Sequence, residues 1–249
     1  MGFARCQEQV EGTFQMKRMI AIALCGLSLF VAGPVQAQGA SGTVVELFTS
    51  QGCSSCPPAD AYLTKLALEP GVIALALHVD YWDYIGWEDK FGSSKFTDRQ
   101  RAYAAAMGSR TIYTPQMIVG GKDQAVGSDP DAVAGMIRRH QSAAAMVVLQ
   151  VMRDGGTVSI RAAARVALPS PLIVQLVRYK PVALVAIKRG ENAGRTIEYT
   201  NIVTSWARIG KWDGASDLVM DAPAPGGDAV VVILQAEGPG MIFAASAVK

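Results

Sequence analysis

Two mostly apolar stretches of the chain flank a helical pattern. Thr43–Thr49 and Val72–Val79 are nearly continuous apolar runs, which is typical of parallel strands that are covered on both faces. Between them, Pro58–Leu68 places apolar residues on one helical face, and Pro70-Gly71 ends that pattern. This order predicts a helical crossover that sets the two strands side by side in one sheet.

The next segments continue the alternation of strands and helices. Asp80–Ser94 is aromatic, acidic and irregular, and we predict it to be an insertion of helical and aromatic character. Thr97–Met107 is predicted to be helical, Thr114–Val119 to be a third strand, and residues 128–142 to be a further helix. The order β-α-β-α-β-(β)-α over residues 43–142 predicts an α/β thioredoxin-like domain that carries this insertion.

After Ala145 the pattern changes to short apolar runs separated by turn residues such as Asp154-Gly155-Gly156. These runs predict a mostly antiparallel, sandwich-like β domain over residues 146–249. The predicted strands are Met146–Met152, Val158–Ala164, Leu172–Tyr179, Val182–Lys188, Thr196–Ile209, Ala229–Ala236 and Met241–Val248.

The N-terminal segment has the pattern of a secretory signal. Lys17 and Arg18 are positively charged, Met19–Ala32 is an apolar or small-residue run, and Val35-Gln36-Ala37 offers small residues for cleavage. The run is too short for a comfortable membrane span, so we expect no retained membrane anchor. We therefore predict that residues 1–37, an extension plus a signal peptide, are removed and that the protein is exported, either periplasmic or secreted.

Composition and charge argue against one class of partner, and the number of cysteines points to redox chemistry. A net charge of +2 over 249 residues, with no dense cluster of Lys or Arg, argues against nucleic acid as a partner. Removal of the N-terminal segment takes away Cys6 and Cys25 and leaves Cys53 and Cys56. Two cysteines in an oxidising compartment are not expected to remain inert thiols.

Cys53-Ser-Ser-Cys56 lies between a predicted strand and a predicted helix, which is the setting of a redox dithiol. The reactive species is a thiolate, which the positive end of a helix favours. Cys53 follows the flexible Gly52 and is predicted to attack a substrate disulfide, and Cys56 is predicted to resolve the mixed disulfide. Pro57 and Pro58 follow directly, so Cys56 and Pro57 are predicted to precede the first helical turn, with Pro58 near its first position. This chemistry needs no cofactor.

Pro115 and Asp80 are the other predicted catalytic residues. Thr114-Pro115 begins a strand, where a cis proline would leave the neighbouring backbone free to pair with an extended substrate; the alternative is an ordinary trans proline at a strand start. Asp80, at the carboxyl end of the second strand, is a candidate for relaying a proton to the resolving cysteine, with Asp83 second. The alternative is that both carboxylates cap turns.

Two other roles remain open for the same sulfurs. Cys53, Cys56 and His78 are alternative copper(I) ligands, because copper(I) favours thiolates and needs fewer ligands than a closed zinc site. The pair would otherwise be a structural disulfide, although so small a loop stabilises little. The alternative function is therefore a periplasmic copper(I)-binding or delivery module, or a binding protein with a structural disulfide.

Four segments resemble one family. Glu46–Asp60, Asp80–Trp87, Tyr113–Met117 and Gly190–Arg195 are similar to motifs of the secreted bacterial proteins of domain-of-unknown-function family 1223. The resemblance implies a thioredoxin-like fold with an added β region, and it implies no substrate. The redox roles of the two cysteines and of the strand proline follow from the wider thioredoxin superfamily, from which Gly52 departs because a tryptophan usually stands there.

The function predicted from these residues is thiol–disulfide exchange. We expect an exported thiol–disulfide oxidoreductase-like protein whose partners are protein thiols or disulfides, or a redox partner protein. Cys53 attacks, Cys56 resolves, Pro115 presents the substrate backbone, and Asp80 assists proton transfer. A further hypothesis is that Gly190–Arg195 forms a loop that reaches the dithiol.

Overall fold

The computed structural model describes residues 37–169 and 171–248. Its helices are α1 (Pro57–Leu66), α2 (Ser94–Ala106) and α3 (Pro130–Ser142). Its strands are β1 (Ala37–Gln38), β2 (Ala40–Ser41), β3 (Thr43–Thr49), β4 (Val72–His78), β5 (Gln116–Val119), β6 (Asp123–Val126), β7 (Val147–Asp154), β8 (Thr157–Ala164), β9 (Leu172–Ala186), β10 (Thr196–Trp212), β11 (Leu218–Pro223), β12 (Ala229–Ala236) and β13 (Ile242–Val248). Within these ranges, no helix is long and apolar enough to cross a membrane. The predicted extension and signal peptide occupy residues 1–37, of which only Ala37 is described.

Most strands belong to one large sheet. Its nine strands have the order β2-β13-β12-β9-β10-β4-β3-β5-β6. β3 and β4 run parallel, with Leu47 opposite Ala76, as the crossover through α1 predicts. β10 joins the other edge of β4 through the pair Ile202 and Ala76. A second sheet of four strands has the order β1-β7-β8-β11.

The fold class predicted from the sequence is wrong. The chain is mostly β with a large curled sheet of nine strands, and it is not an α/β thioredoxin-like domain followed by a separate sandwich-like domain. Before α2, the predicted helical and aromatic insertion contains a single turn of 3-10 helix, Asp83–Ile85. Strands from residues 146–249 extend the sheet that residues 43–142 begin, so the predicted domain boundary is not a boundary of the sheet. A run that is apolar on both faces predicts a buried strand but does not specify the strand beside it.

β9 and β10 form a long antiparallel hairpin that joins the two parts of the large sheet. The sequence predicted two strands here, Leu172–Tyr179 and Val182–Lys188, but β9 is continuous through Pro181, which has no backbone N–H. Opposite Pro181, Asn201 has a φ of 50°, and its side chain donates to the Ala74 carbonyl of β4 at 2.9 Å. The side chain of Asn201 therefore links β10 to β4.

The two ends of the large sheet are covered differently. α1 and α3 pack on one face of β3, β4 and β5, and α2 packs on the opposite face through Phe96 and Tyr103. At the other end, the four-stranded sheet packs on β9, β12 and β13 in a sandwich of buried, mostly aliphatic side chains. The turn that connects β3 to α1 lies at the carboxyl end of a central strand.

A buried polar network crosses the large sheet. Glu46 of β3 is fully buried and pairs with the Arg99 guanidinium of α2 at 2.6 Å and 2.9 Å. Tyr103 donates to Glu46 at 2.6 Å, and Arg99 donates to Gln235 of β12 at 3.1 Å. The Arg99 guanidinium also lies 3.7 Å from the centre of the Trp206 ring of β10. The network therefore fixes α2 to strands from both parts of the chain.

Candidate functional site

Cys53 and Cys56 lie in the turn between β3 and α1 and are joined as a disulfide, with their Cα atoms 5.4 Å apart. Cys56 is the N-cap residue of α1, and its backbone N–H donates to the Cys53 carbonyl at 3.3 Å. Strand, C-x-x-C and helix therefore follow one another as predicted, and the start of α1 holds both sulfurs.

Two prolines reduce the number of backbone N–H groups at the start of α1 that could donate to a sulfur. α1 begins at Pro57, one residue earlier than the sequence predicted, and neither Pro57 nor Pro58 has a backbone N–H. The next two N–H groups, of Ala59 and Asp60, donate to the Cys56 carbonyl at 2.9 Å and 3.1 Å. The first turn of α1 therefore has no backbone N–H free to donate to a sulfur. Because of this, stabilisation of a Cys56 thiolate would have to come from nearby side chains.

Both cysteines are covered in the oxidised state. The exposed fraction is 1% for Cys53 and 0% for Cys56, whereas Ser54 and Ser55 between them face solvent. The Ser55 hydroxyl lies 3.4 Å from the Cys53 sulfur, where it can donate to a thiolate. This contact favours negative charge on the cysteine that is predicted to attack.

The aromatic segment after β4 forms one side of the cover. A Cβ atom at Gly52 would lie 3.2 Å from Cβ of Trp82 and 3.5 Å from Cδ1 of Ile85. The indole nitrogen of Trp87 donates to the Gln51 side chain at 2.8 Å. Glycine therefore precedes Cys53 because Trp82 takes the space that a side chain would need.

The loop between β9 and β10 forms the other side of the cover. Asn192 is 1% exposed, and its amide nitrogen donates to the carbonyls of Gln51 at 3.0 Å and Cys53 at 2.9 Å. A Cβ atom at Gly190 would lie 3.1 Å from Cβ of Trp87. The predicted approach of this loop to the cysteines is therefore seen, and Asn192 makes the contact.

The Thr114–Pro115 peptide bond is cis, as expected. The indole nitrogen of Trp82, which also covers the cysteine turn, donates to the Thr114 hydroxyl at 2.8 Å. The Pro115 carbonyl accepts the Gly127 N–H at 2.9 Å, and a Cβ atom at Gly127 would lie 3.1 Å from Cβ of Pro115 and 3.0 Å from Cβ of Ala59. Pro115 therefore lies beside the first turn of α1.

Asp60, one helical turn after Cys56, is a buried carboxyl group that the sequence did not mark as functional. The Thr49 hydroxyl donates to its Oδ1 at 2.8 Å, and among the described residues no group pairs with its Oδ2. Burial raises the pKa of Asp60 to about 7, against the opposing effects of His78 and Thr49. Asp60 can therefore hold or release a proton near neutral pH. The signal in the sequence was its place three residues before Leu63, on the apolar face of α1.

His78 and Asp89 form a buried pair behind the turn. Nδ1 of His78 lies 2.7 Å from Oδ2 of Asp89. The same oxygen accepts the Gln51 N–H at 2.8 Å, and Oδ1 accepts the Phe91 N–H at 2.9 Å. Burial alone would raise the pKa of Asp89, but the charge and hydrogen bond of His78, with the two backbone donors, hold it below its ordinary value. Asp89, which sequence reasoning missed, therefore stays ionised and anchors the start of the cysteine turn.

Asp80, the predicted proton relay, is held at the start of α2. Its carboxylate accepts the Thr97 hydroxyl at 2.6 Å. Asp83 accepts the Asp89 N–H at 3.0 Å, and burial raises its pKa. These contacts are those expected of acids that organise turns, and proton transfer by Asp80 stays a prediction.

Metal binding by Cys53, Cys56 and His78 also stays a prediction. The two sulfurs are bonded to each other, and His78 is paired with Asp89. In the part of the chain that the structure describes, no group of three or more His, Cys, Asp or Glu residues is arranged to hold a metal ion.

Known proteins resemble the chain in sequence and in structure. The sequence model of a family described as "Protein of unknown function (DUF1223)" matches residues 44–235. A crystal structure of a protein from Agrobacterium tumefaciens is similar at 34% identity and a TM-score of 0.71, over 84% of this chain and 94% of that chain. HBP35 of Porphyromonas gingivalis is similar at 13% identity and a TM-score of 0.59, over 84% of this chain and 74% of that chain, which shows a shared fold alone. No curated protein matches the chain.

Proposed function

The chain belongs to the DUF1223 family of proteins of unknown function, and we propose that it is an exported thiol–disulfide oxidoreductase that exchanges electrons with protein thiols or disulfides. The observation that carries the proposal is the Cys53–Cys56 pair with a buried, protonatable carboxyl group, Asp60, one helical turn behind Cys56. The signal pattern of residues 1–37 supports export.

Cys53 begins the exchange from the reduced pair. Its thiolate attacks one sulfur of a partner disulfide, and a bond forms between that sulfur and Cys53. The partner S–S bond breaks, and the second partner sulfur leaves as a thiolate that takes up a proton. The Ser55 hydroxyl, 3.4 Å from the Cys53 sulfur, stabilises the attacking thiolate.

Cys56 completes the exchange. Its thiol gives a proton to the Asp60 carboxylate, and the resulting thiolate attacks the Cys53 sulfur. The mixed disulfide breaks, the remaining partner sulfur leaves as a thiolate, and the Cys53–Cys56 bond forms. The partner gains the two electrons that the dithiol loses. In the opposite direction a partner dithiol reduces the pair, and Asp60 returns the proton to the departing Cys56 sulfur.

Pro115 is assigned to the partner side of the site. It lies beside the first turn of α1 and has no N–H that would compete with an incoming chain. The backbone next to Pro115 is therefore proposed to pair with the extended segment that carries the partner sulfur.

Removing one cysteine at a time tests these roles. Reduced Cys56→Ser should accumulate a mixed disulfide through Cys53 when it is incubated with oxidised glutathione or a disulfide-bonded peptide, because no resolving thiol remains. Mass spectrometry with and without reductant detects the adduct. Cys53→Ser is the matched control and should accumulate far less. Equal trapping by both variants, or none by either, would contradict the assignment.

The reduction potential of the Cys53–Cys56 pair distinguishes a disulfide that takes part in exchange from a structural disulfide. We expect equilibration with glutathione buffers to give a potential above about −300 mV, since structural disulfides commonly lie below that value. A lower potential would favour the alternative of a binding protein with a structural disulfide.

A further inference from the structure

We propose that the loop between β9 and β10, residues 187–195, is a cover that Asn192 latches over Cys53 and that opens before a partner sulfur reaches the disulfide. The inference rests on the proposed thiol–disulfide exchange and makes Asn192 a positioning residue of that site. An attacking sulfur has to touch Cys53, whose exposed fraction is 1% in the closed, oxidised state. Some part of the surrounding protein therefore has to move.

Asn192 is the part of the cover loop that holds the cysteine turn. Its amide nitrogen donates to the carbonyls of Gln51 and Cys53, and its Oδ1 accepts from Arg195 at 3.1 Å. Within residues 188–195, Asn192 is the one buried residue, and its neighbour Glu191 faces solvent. Breaking the two bonds to the turn opens the latch, and both carbonyls then need water as a new partner.

The cover loop is closed at its base by Ile187, which is 2% exposed and packs among core residues. Its Ile187 N–H donates to the Arg195 carbonyl at 2.9 Å, and its Gly194 N–H donates to the Ile187 carbonyl at 2.8 Å. These hydrogen bonds lie within the loop and do not depend on the cysteine turn. Opening therefore swings residues 188–194 on this base and breaks the Asn192 bonds and the packing of Gly190 on Trp87, while Ile187 stays packed among core residues.

The other side of the cover is tied down more firmly. Trp82 is held by its hydrogen bond to Thr114 at 2.8 Å. Asp89, in the same segment, is held by His78 at 2.7 Å and itself accepts the Gln51 N–H at 2.8 Å. Access to Cys53 is therefore expected from the side of the cover loop.

The rate at which dithiothreitol reduces the native, oxidised protein tests the latch. Asn192→Ala and Asn192→Asp should both be reduced about tenfold faster or more, because each loses the two donated hydrogen bonds. The aspartate fills nearly the same volume, so it separates the lost donors from lost packing. Glu191→Ala, at the exposed neighbouring position, is the matched control and should keep the wild-type rate. Thermal unfolding shows that each variant is folded.

A second contact and a second reductant give independent readouts. Gly190→Ala should be reduced several-fold faster than wild type, because its Cβ would lie 3.1 Å from Cβ of Trp87 and its φ is 76°. A reduced protein dithiol should show an acceleration at least as large as that with dithiothreitol, because it needs a wider opening.

The outcomes distinguish this inference from the proposed function. Rates for the Asn192 variants that equal the Glu191→Ala rate would overturn the latch and leave thiol–disulfide exchange standing. If the disulfide is reduced in no native variant and only after unfolding, both proposals fail.

Discussion

Asp60 is the residue on which the proposed exchange chemistry depends most, because its carboxyl group is buried and, in that proposal, changes its charge. Burial raises its pKa to about 7, His78 and Thr49 oppose that rise, and Asp89 adds to it. The neutral form is therefore favoured at mildly acidic pH, with Thr49 as its hydrogen-bond partner. A group of this kind affects both the stability of the fold and the transfer of a proton.

The first prediction concerns stability against pH. The pKa of the Asp60 carboxyl group is 3.8 in the unfolded chain and about 7 in the folded one. Its contribution to stability is thus fully present below about pH 4 and is lost as the pH rises to about 7. The variant Asp60→Asn has no such carboxyl group and does not lose this stability. The difference in free energy of unfolding, Asp60→Asn minus wild type, should therefore increase from about pH 4 to about pH 7 and stay constant above that. Urea unfolding from about pH 4 to about pH 8 measures this.

An exposed acid supplies the control for this pH dependence. Asp131, in the first turn of α3, is exposed. The difference in free energy of unfolding between Asp131→Asn and wild type should therefore stay nearly constant over the same pH range. A constant separation for Asp60→Asn as well would show that Asp60 has an ordinary pKa.

The second prediction concerns the exchange reaction. Asp60→Asn should slow resolution of the mixed disulfide by Cys56 by about a hundredfold, because the proton acceptor is gone. The wild-type rate should rise with pH around an apparent pKa of about 7, and the variant should lose that step. Rapid-mixing kinetics with a glutathione mixed disulfide at Cys53 measure both quantities. Unchanged kinetics in the variant would assign proton transfer to another group, with Asp80 the first to test.

At the scale of elements, the β9–β10 hairpin connects the site to the rest of the sheet. Its loop carries Asn192 over the cysteine turn, and its middle reaches β4 through Asn201. The left-handed φ of 50° at Asn201 is one that asparagine tolerates better than most residues. The apolar pattern predicted two strands, Leu172–Tyr179 and Val182–Lys188, whereas pairing across the hairpin keeps β9 continuous through Pro181.

The third prediction tests the hydrogen bond by which Asn201 of β10 contacts β4. Asn201→Ala should destabilise the protein by about 1–3 kcal/mol, because the buried Ala74 carbonyl loses its donor and alanine disfavours the left-handed conformation. Asn201→Gly loses the same hydrogen bond but accepts the backbone conformation, so it should be less destabilised. Denaturant unfolding compares the two. Equal stability of wild type and Asn201→Ala would show that the pairing of β10 with β4 does not depend on this side chain.

At the scale of the whole molecule, the chain is held together across the boundary that the sequence suggested. The large sheet runs through both parts, and the Glu46–Arg99 pair of the first part contacts Gln235 and Trp206 of the second. Because strands and buried charges are shared, the two parts should not unfold separately.

The fourth prediction concerns this buried ion pair. Arg99→Met should destabilise the protein by about 3–5 kcal/mol, because it leaves the fully buried Glu46 without its positively charged partner. Adding Glu46→Gln should recover part of the loss, since the uncompensated charge is removed. Arg101→Met removes an exposed pair with Asp98 and should change stability by less than about 1 kcal/mol. Unfolding followed by circular dichroism checks all three; equal effects at positions 99 and 101 would contradict the argument.

The sequence by itself determined the local features. The strand before Cys53, the helix after Cys56 and the C-x-x-C spacing follow from residues that are close along the chain, and such patterns act over one or two turns. Tertiary structure alone decided the sheet that joins β10 to β4, the burial that moves the pKa of Asp60, and the contact of Asn192 with the Cys53 carbonyl. Asn192 and Cys53 are 139 positions apart, and no periodicity of apolar residues records which distant segments meet. Those contacts exist only once the chain has closed around its core, and they turn a C-x-x-C motif into a covered site with a buried acid.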